Sequence, residues 1–482
     1  MKNLLPSFIS LLFLFNEVSS SEDNTVSALN ATYEDDNLIL QGEVKLHHGL
    51  GTLFAEKASL YKQENNKDLP FSSIHLQDTV KIFCKNQAFL SCDAAKLDFV
   101  TLQGKILSLG INPVTYVDKM EGTPFQIQSQ AIDVIFDELE KSSGTEYLCK
   151  GILAKENVTI QYAKDFILKA DEAHYVRTSP ETSSLSGVVS AYPTSPNPYC
   201  QLYYQEENIE TSFIEIILEK SIICLKDPKG SLPSSLFSKK QKGQLFFTCK
   251  DLNWDHLNGI LVLDKEILIQ ESHFGSLSAD HILTIEQNKA EDPTFMKSIH
   301  AEGLCTLSHN DSSLTSQGSL HIDGIKGHLT ATSPKKEGKT LSEDQILYQN
   351  NDMRLQADTA FLEYTEPLHE LSSLTFQGNV RIRSLETAKA ARYALADRLV
   401  YAPDTKTIIL SAHTGKKVLF WDEEQGSTIS AKEVHLTQNP LTNKTEIKGI
   451  GNMKLTLSAD EQTLLKNHFP TFPTLEDNHV KN

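Results

Sequence analysis

At two places in this chain a strict alternation of apolar and polar residues runs into a glycine, crosses it and resumes in step. Leu38-Ile39-Leu40-Gln41-Gly42-Glu43-Val44-Lys45-Leu46 and Leu374-Thr375-Phe376-Gln377-Gly378-Asn379-Val380-Arg381-Ile382 match almost position for position, and weaker copies centre on Gly151, Gly187, Gly303, Gly318 and Gly451. A period of two places Leu38, Leu40, Val44 and Leu46 on one face and Gln41, Glu43 and Lys45 on the other, the pattern of a half-buried antiparallel strand. Helix is excluded for these segments. A glycine in mid-strand marks a bulge, a bend or a close backbone approach.

A second template, with apolar positions at i−2, i+3 and i+5 around a small residue i, recurs at Ala55, Cys92, Ser129, Ala170, Cys249, Ala279, Ala357, Ala396 and Ala431. The gaps are 37, 37, 41, 79, 30, 78, 39 and 35 residues, the two long ones being about double the rest. Within each copy the inward phase slips by one residue, which is what a bulged corner does to side-chain direction. A unit of about 37 residues holds roughly four short strands with tight turns. The chain is therefore predicted to be an all-β repeat, with bent antiparallel strands enclosing one apolar interior.

Composition limits what this body can do. Asp plus Glu total 63 against 45 Lys plus Arg, a formal charge of −18, so the field of the whole molecule opposes phosphate-driven nucleic-acid binding. Beyond the first twenty residues no stretch approaches the ~20 apolar residues of a spanning helix. Lys2, the apolar run Leu4 to Phe15 and the small residues Val18-Ser19-Ser20 read as a signal peptide over residues 1–20, so the chain is expected to be exported, cleaved and soluble. Residues 226–245, rich in Lys, Ser, Pro and Gly, are expected to link repeats over 21–225 to repeats over 246–470, with a polar tail over 471–482.

Catalytic patterns are missing. There is no H-E-x-x-H and no G-x-S-x-G, and the near phosphate loop ending Gly338-Lys339-Thr340 has Ser333 where its first glycine belongs. The seven cysteines show no C-x-x-C spacing, which argues against zinc; they read as small buried hydrophobes, with Cys84 and Cys92 the one pair that could face across a hairpin. No enzyme activity, cofactor or metal is expected. Five of the six arginines fall between Arg354 and Arg398, and Arg381 and Arg383 take the outward phase of their strand. Two readings stand: a charged face that keeps the sheet soluble, or contacts to an anionic headgroup.

The segment Ala357 to Leu457 resembles the organic-solvent-tolerance domain, LptA/OstA-like, of periplasmic lipopolysaccharide-transport proteins. The likeness rests on Gln377-Gly378-Asn379-Val380, on Ala394-Leu395-Ala396-Asp397-Arg398-Leu399-Val400-Tyr401 and on Lys448-Gly449-Ile450-Gly451-Asn452. Ala31 to Tyr61 resembles a second copy. The resemblance implies a folded-over β-jellyroll, an open trough repeated in two or more stacked bodies, which shelters the acyl chains of lipopolysaccharide or a related glycolipid on its way to the outer membrane. Leu38, Leu40, Val44, Leu46, Leu374, Phe376, Val380, Ile382, Ile429, Ala431, Val434 and Leu436 would line that trough. Similar trough-forming proteins would dock end-on by strand addition, at terminal strands taken to be Leu38 to Leu46 and Met453 to Leu457. The alternative is a structural or surface-interaction protein of the same repeats that carries no lipid. An open interior or a filled one separates the two.

Overall fold

A computed structural model describes residues 25–469, apart from 35–36, 63–70, 86–87, 111, 119–124, 142–143, 164, 179–185, 195–197, 206, 235–242, 272–274, 289–291, 335–343, 366–369, 385–390, 424–425 and 439–444. The expected signal peptide and polar tail lie outside the described residues. The chain is almost wholly antiparallel β, 73% strand, and falls into two compact units. Unit 1 is residues 1–230 with 255–257, and unit 2 is residues 231–254 with 258–482.

In both units several long strands are folded in the middle, and the fold is a pair of left-handed residues. In Asn37–His48 the register to Gly51–Tyr61 runs to Gln41 and restarts at Val44, skipping Gly42 (φ 77°) and Glu43 (φ 47°). The same break occurs at Asp78-Thr79 (φ 62° and 57°), Glu156-Asn157 (64° and 54°) and, in unit 2, Gly378-Asn379 (81° and 47°). Opposite each pair the partner strand skips a single residue, in turn Asp93, Asp171 and Asp397 for the last three. These acids hold the next corner along: Asp93 accepts from Leu109 and Gly110 N–H (2.6 and 2.8 Å), Asp171 from Thr194 N–H (2.9 Å) and Asp397 from His413 N–H (2.8 Å). Beside the corners sit the small residues of the second template; Ala55, Cys92, Ser129, Cys249, Ala279, Ala357 and Ala431 are all buried. Ser129 Oγ donates to Ala131 O at 2.9 Å and Cys249 Sγ to Asp251 O at 3.3 Å, so a short side chain there also satisfies the turning backbone.

The folded strands build two ladders, here wall 1 and wall 2. In wall 1 of unit 1, Leu40, Ala58, Leu76, Ala95, Ile106 and Ile132 follow one another in register on the inner face. In wall 2, Leu46, Leu53, Ile82, Leu90, Tyr116 and Ile127 do the same. Unit 2 repeats the plan: Ile299, Ile322, Leu329, Leu362 and Leu374 in wall 1, and Leu355, Ile382, Ala394, Phe420 and Ile429 in wall 2. Side chains meet between the walls, as Phe125 (wall 2) does with Tyr175 (wall 1) at 5.2 Å between ring centroids, and Tyr348 with Phe376 at 5.8 Å in unit 2. Among the described residues the strand ladders of the two walls join along the corner margin, and the opposite margin is bridged by isolated contacts, so the body is a folded trough and not a barrel.

Several local expectations need correction. Leu38 to Leu46 is not a terminal strand, because Asn30–Glu34 and Val26–Ser27 pair outside it. The outer strand was missed because its residues, all exposed, carry no apolar alternation. Met453 to Leu457 forms no strand beyond a bridge in which Lys454 and Ser430 exchange two backbone hydrogen bonds of 2.9 Å. That segment covers the end of wall 2, leads into the helix Ala459–His468, and packs Leu457, Leu465 and Phe469 on Tyr393, Leu419 and Trp421 of the outward face. The stretch expected as a linker supplies the strand Lys229–Ser234 and the start of Gly243–Thr248, and the boundary between the units falls inside it. Cys84 and Cys92 do not face each other, since Cys84 pairs with Gly51 and Cys92 with Val80, and all seven cysteines are free thiols.

Candidate functional site

The corners close one margin of each unit, so whatever reaches the interior has to pass the opposite margin or an end. The expected lining residues lie in the inner columns, in two groups. Leu40, Val44 and Leu46 are buried in unit 1 with Leu38 partly so; in unit 2 Leu374, Phe376, Val380, Ile429, Ala431 and Val434 are buried, with Ile382 and Leu436 partly exposed. Leu374, Phe376, Val434 and Leu436 belong to wall 1 of unit 2, and Val380, Ile382, Ile429 and Ala431 to wall 2. The lining fills the interior with its own side chains: Leu53, Leu97, Phe125, Ile132 and Phe376 are all 0% exposed. Two cavities, of about 600 and 550 Å³, lie in unit 2 and are lined chiefly by outward-facing residues such as His300 and Glu302 in one and Thr330, Thr375 and Arg398 in the other.

Arg381 and Arg383 stand on the outward face of wall 2, alternating with the inner Val380 and Ile382. The Arg383 guanidinium lies 5.9 Å from the centroid of the Tyr393 ring, beneath which the C-terminal helix packs. Neither arginine is placed at the lining.

One ion pair of unit 1 lies on the inside. Asp118, the last residue of the wall 2 strand Val114–Asp118, follows Val114 and Tyr116 in the inward phase; Arg177 follows Ala173 and Tyr175 in wall 1. The two side chains meet across the margin opposite the corners, Arg177 Nη2 to Asp118 Oδ2 at 2.7 Å, with 5% and 3% of their surfaces exposed. Tyr116 donates its hydroxyl to the same carboxylate oxygen at 3.0 Å, and Arg177 N–H donates to Lys150 O at 2.9 Å. Burial pushes the Asp118 carboxyl above its ordinary range, with Arg177 and Tyr116 opposing; burial also works against the guanidinium charge, which the Asp118 carboxylate favours, and the guanidinium stays charged. Arg177 Nε, also buried, has no hydrogen-bond partner among the described residues.

Two further contacts close this margin. The hairpin between Ala131–Lys141 and Gly144–Tyr162 reaches across so that Tyr147 N–H donates to Gly49 O at 3.3 Å, and its ring lies with His48 and Phe99 (centroids 5.3 Å and 6.0 Å away). Tyr162 of wall 2 donates to Leu218 O of wall 1 at 3.3 Å. Cys84 and Cys149 flank the ion pair; burial raises both thiols, Cys84 to about 12, so they stay protonated and inert. At the margin of unit 2, burial and the neighbouring Tyr348 push the Tyr364 hydroxyl up to about 12.

Asp118 and Arg177 were passed over in favour of the five clustered arginines. The signal was present: each is a charge two residues beyond an inward aromatic, in phase with the core. Among the described residues no three His, Cys, Asp or Glu side chains converge as around a metal ion, and no helix is long and apolar enough to cross a membrane.

No family model matches the sequence, and no curated protein matches it. Among solved structures, LptH of Pseudomonas aeruginosa, described as the LptA-homologous periplasmic component of the lipopolysaccharide transport device, is covered over 94% of its chain by 30% of this one, at 9% identity and a TM-score of 0.24. The extracellular domain of the putative one-component system BT4673 of B. thetaiotaomicron covers 86% of this chain with 71% of its own, at 7% identity and a TM-score of 0.10. At such scores neither likeness bears on the site.

Proposed function

We propose that the protein is a non-enzymatic periplasmic carrier, a bridge for lipopolysaccharide or a related glycolipid moving to the outer membrane, with acyl chains taken up between the two walls. The observation that supports it is the pair of apolar inner columns whose walls are joined by strand ladders along one margin and by isolated contacts along the other. A chain entering between them replaces wall-to-wall contacts by wall-to-acyl contacts at about 0.8 kcal/mol per buried CH₂, so little apolar burial is lost on opening. What holds the walls together is then the set of margin contacts. Similar trough-forming proteins would add strands at the ends, on Asn30–Glu34 and on Thr445–Ile450.

A second reading, a structural or interaction protein without cargo, is favoured by the filled interior. Mass spectrometry of organic extracts of the purified protein separates the two. Glycolipid recovered at close to one molecule per chain, with photo-cross-linking at Phe376 and not at the outward Thr375, supports the carrier. Lipid-free protein and equal labelling at both positions support the alternative.

A further inference from the structure

The margin of unit 1 carries an inference that rests on the carrier reading and names the head of its cargo. We propose that Arg177 is the receptor for a phosphate group on an amphiphile whose chains lie along the inner columns of unit 1, and that Asp118 occupies this receptor until the phosphate displaces it. Arg177 stands where such chains would end: it continues the inward series Ala173, Tyr175 at the margin away from the corners. A guanidinium brings five donors in a planar fork suited to phosphate. Here Nη2 reaches Asp118 at 2.7 Å, whereas Nε is buried without a partner.

The count of groups favours phosphate over carboxylate. Arg177 Nη2 and the Tyr116 hydroxyl both donate to Asp118, and Arg177 Nε is a third, unmet donor on the same guanidinium. Asp118 engages two of them, and through a single oxygen, Oδ2. A phosphate offers three oxygens and satisfies all three. Asp118 ends its strand, so its side chain is free to turn outward without breaking the ladder that holds Val114, Thr115 and Tyr116. A purely structural ion pair gives no reason to bury a donor unmet.

The test uses the full chain, titrated by calorimetry with lysophosphatidic acid, with a monoacylglycerol of the same chain, and with inorganic phosphate. Wild-type protein should bind the phosphorylated amphiphile at least tenfold more tightly than the neutral one, and inorganic phosphate hardly at all. Asp118→Asn, which removes the competing charge and keeps Arg177, should bind the phosphorylated amphiphile several-fold more tightly than wild type. Arg177→Gln combined with Asp118→Asn replaces the ion pair by two neutral amides; it should bind both amphiphiles alike, at the wild-type affinity for the neutral one. Equal binding of the two amphiphiles by wild type, a preference that survives in the double variant, or weaker binding by folded Asp118→Asn overturns the headgroup assignment while leaving the carrier reading in place. Phosphate bound as tightly as the amphiphile overturns it in favour of a free-anion site. Failure of wild type to bind either amphiphile overturns the carrier reading and this inference with it.

Discussion

The Tyr147 ring stacks on the His48 imidazole with centroids 5.3 Å apart and planes 14° from parallel, joining the crossing hairpin to a turn of the opposite wall. His48 Nδ1 accepts from Leu50 N–H at 3.2 Å, and Phe99 covers the ring from 4.2 Å. Burial, with Lys85 nearby, lowers the imidazole from 6.5 to about 4. Between these values the unfolded chain takes up a proton that the folded imidazole refuses, so stability is present above about pH 6.5 and is lost as pH falls towards about 4. The loss is on the order of 1–3 kcal/mol. Hydrogen exchange in Gly144–Tyr162 should speed up between pH 7 and pH 5 after correction for intrinsic rates, and His48→Phe should flatten that change.

Replacing an inner side chain should cost far more than replacing its outward neighbour. Phe376 is 0% exposed and meets Tyr348 across the interior, whereas Thr375 lines an outer cavity. Phe376→Ala is expected to lower stability by about 3–5 kcal/mol and Thr375→Ala by less than about 0.5 kcal/mol, as read from denaturant midpoints. Similar losses at the two positions would refute the assigned faces.

The corners predict substitutions of opposite sign. Gly378 has φ 81°, and a Cβ there would stand 2.4 Å from Asp358 Oδ2, so Gly378→Ala should destabilise by about 1–2 kcal/mol or more. Thr79 is a β-branched residue held at φ 57°, and Thr79→Gly should stabilise by about 1 kcal/mol. Thermal midpoints moving the other way would contradict the left-handed geometry.

Leu29 N–H donates to Gly42 O at 2.9 Å, and the pairing Asn30 with Gln41 and Thr32 with Ile39 continues the same register. By antiparallel alternation the N–H of Ala31 points into the ladder and that of Thr32 points away from it. Thr32→Pro should therefore weaken capture of a trough-forming partner at this end with circular dichroism unchanged, while Ala31→Pro should fray the strand itself. Undiminished capture by Thr32→Pro would place the docking elsewhere. Proline at Ile39 or Lys454 is no substitute: Ile39 lies inside the sheet, and Lys454 N–H is bonded to Ser430 O.

Period two made the inner columns readable, since a strand that keeps one face in the core has to repeat every second residue. The corners were half readable. Their small residues and phase slips stand out, but among the described residues only two of the five left-handed pairs begin with glycine; Asp78-Thr79, Glu156-Asn157 and Lys265-Glu266 tolerate the same angles without that mark. Strand order was not readable, because nothing in Asn30–Glu34 states that it pairs outside its neighbour. The helix Ala459–His468 was readable and missed, its capping box being Ser458 with Glu461. The ion pair at the margin was legible only as phase, two opposite charges in positions the alternation reserves for apolar residues.

Where a long strand carries its own corner, as Asn37–His48 does, a hairpin of such strands inserted whole adds one strand to each wall at each pass and leaves the cross-section untouched. At about 4.8 Å per strand, one such cassette lengthens the interior by about 10 Å. An insertion of half a strand would instead turn a wall inside out. The length of such an interior is set by copy number, as a ruler is graduated, and is open to change by duplication while the chemistry of its lining stays fixed.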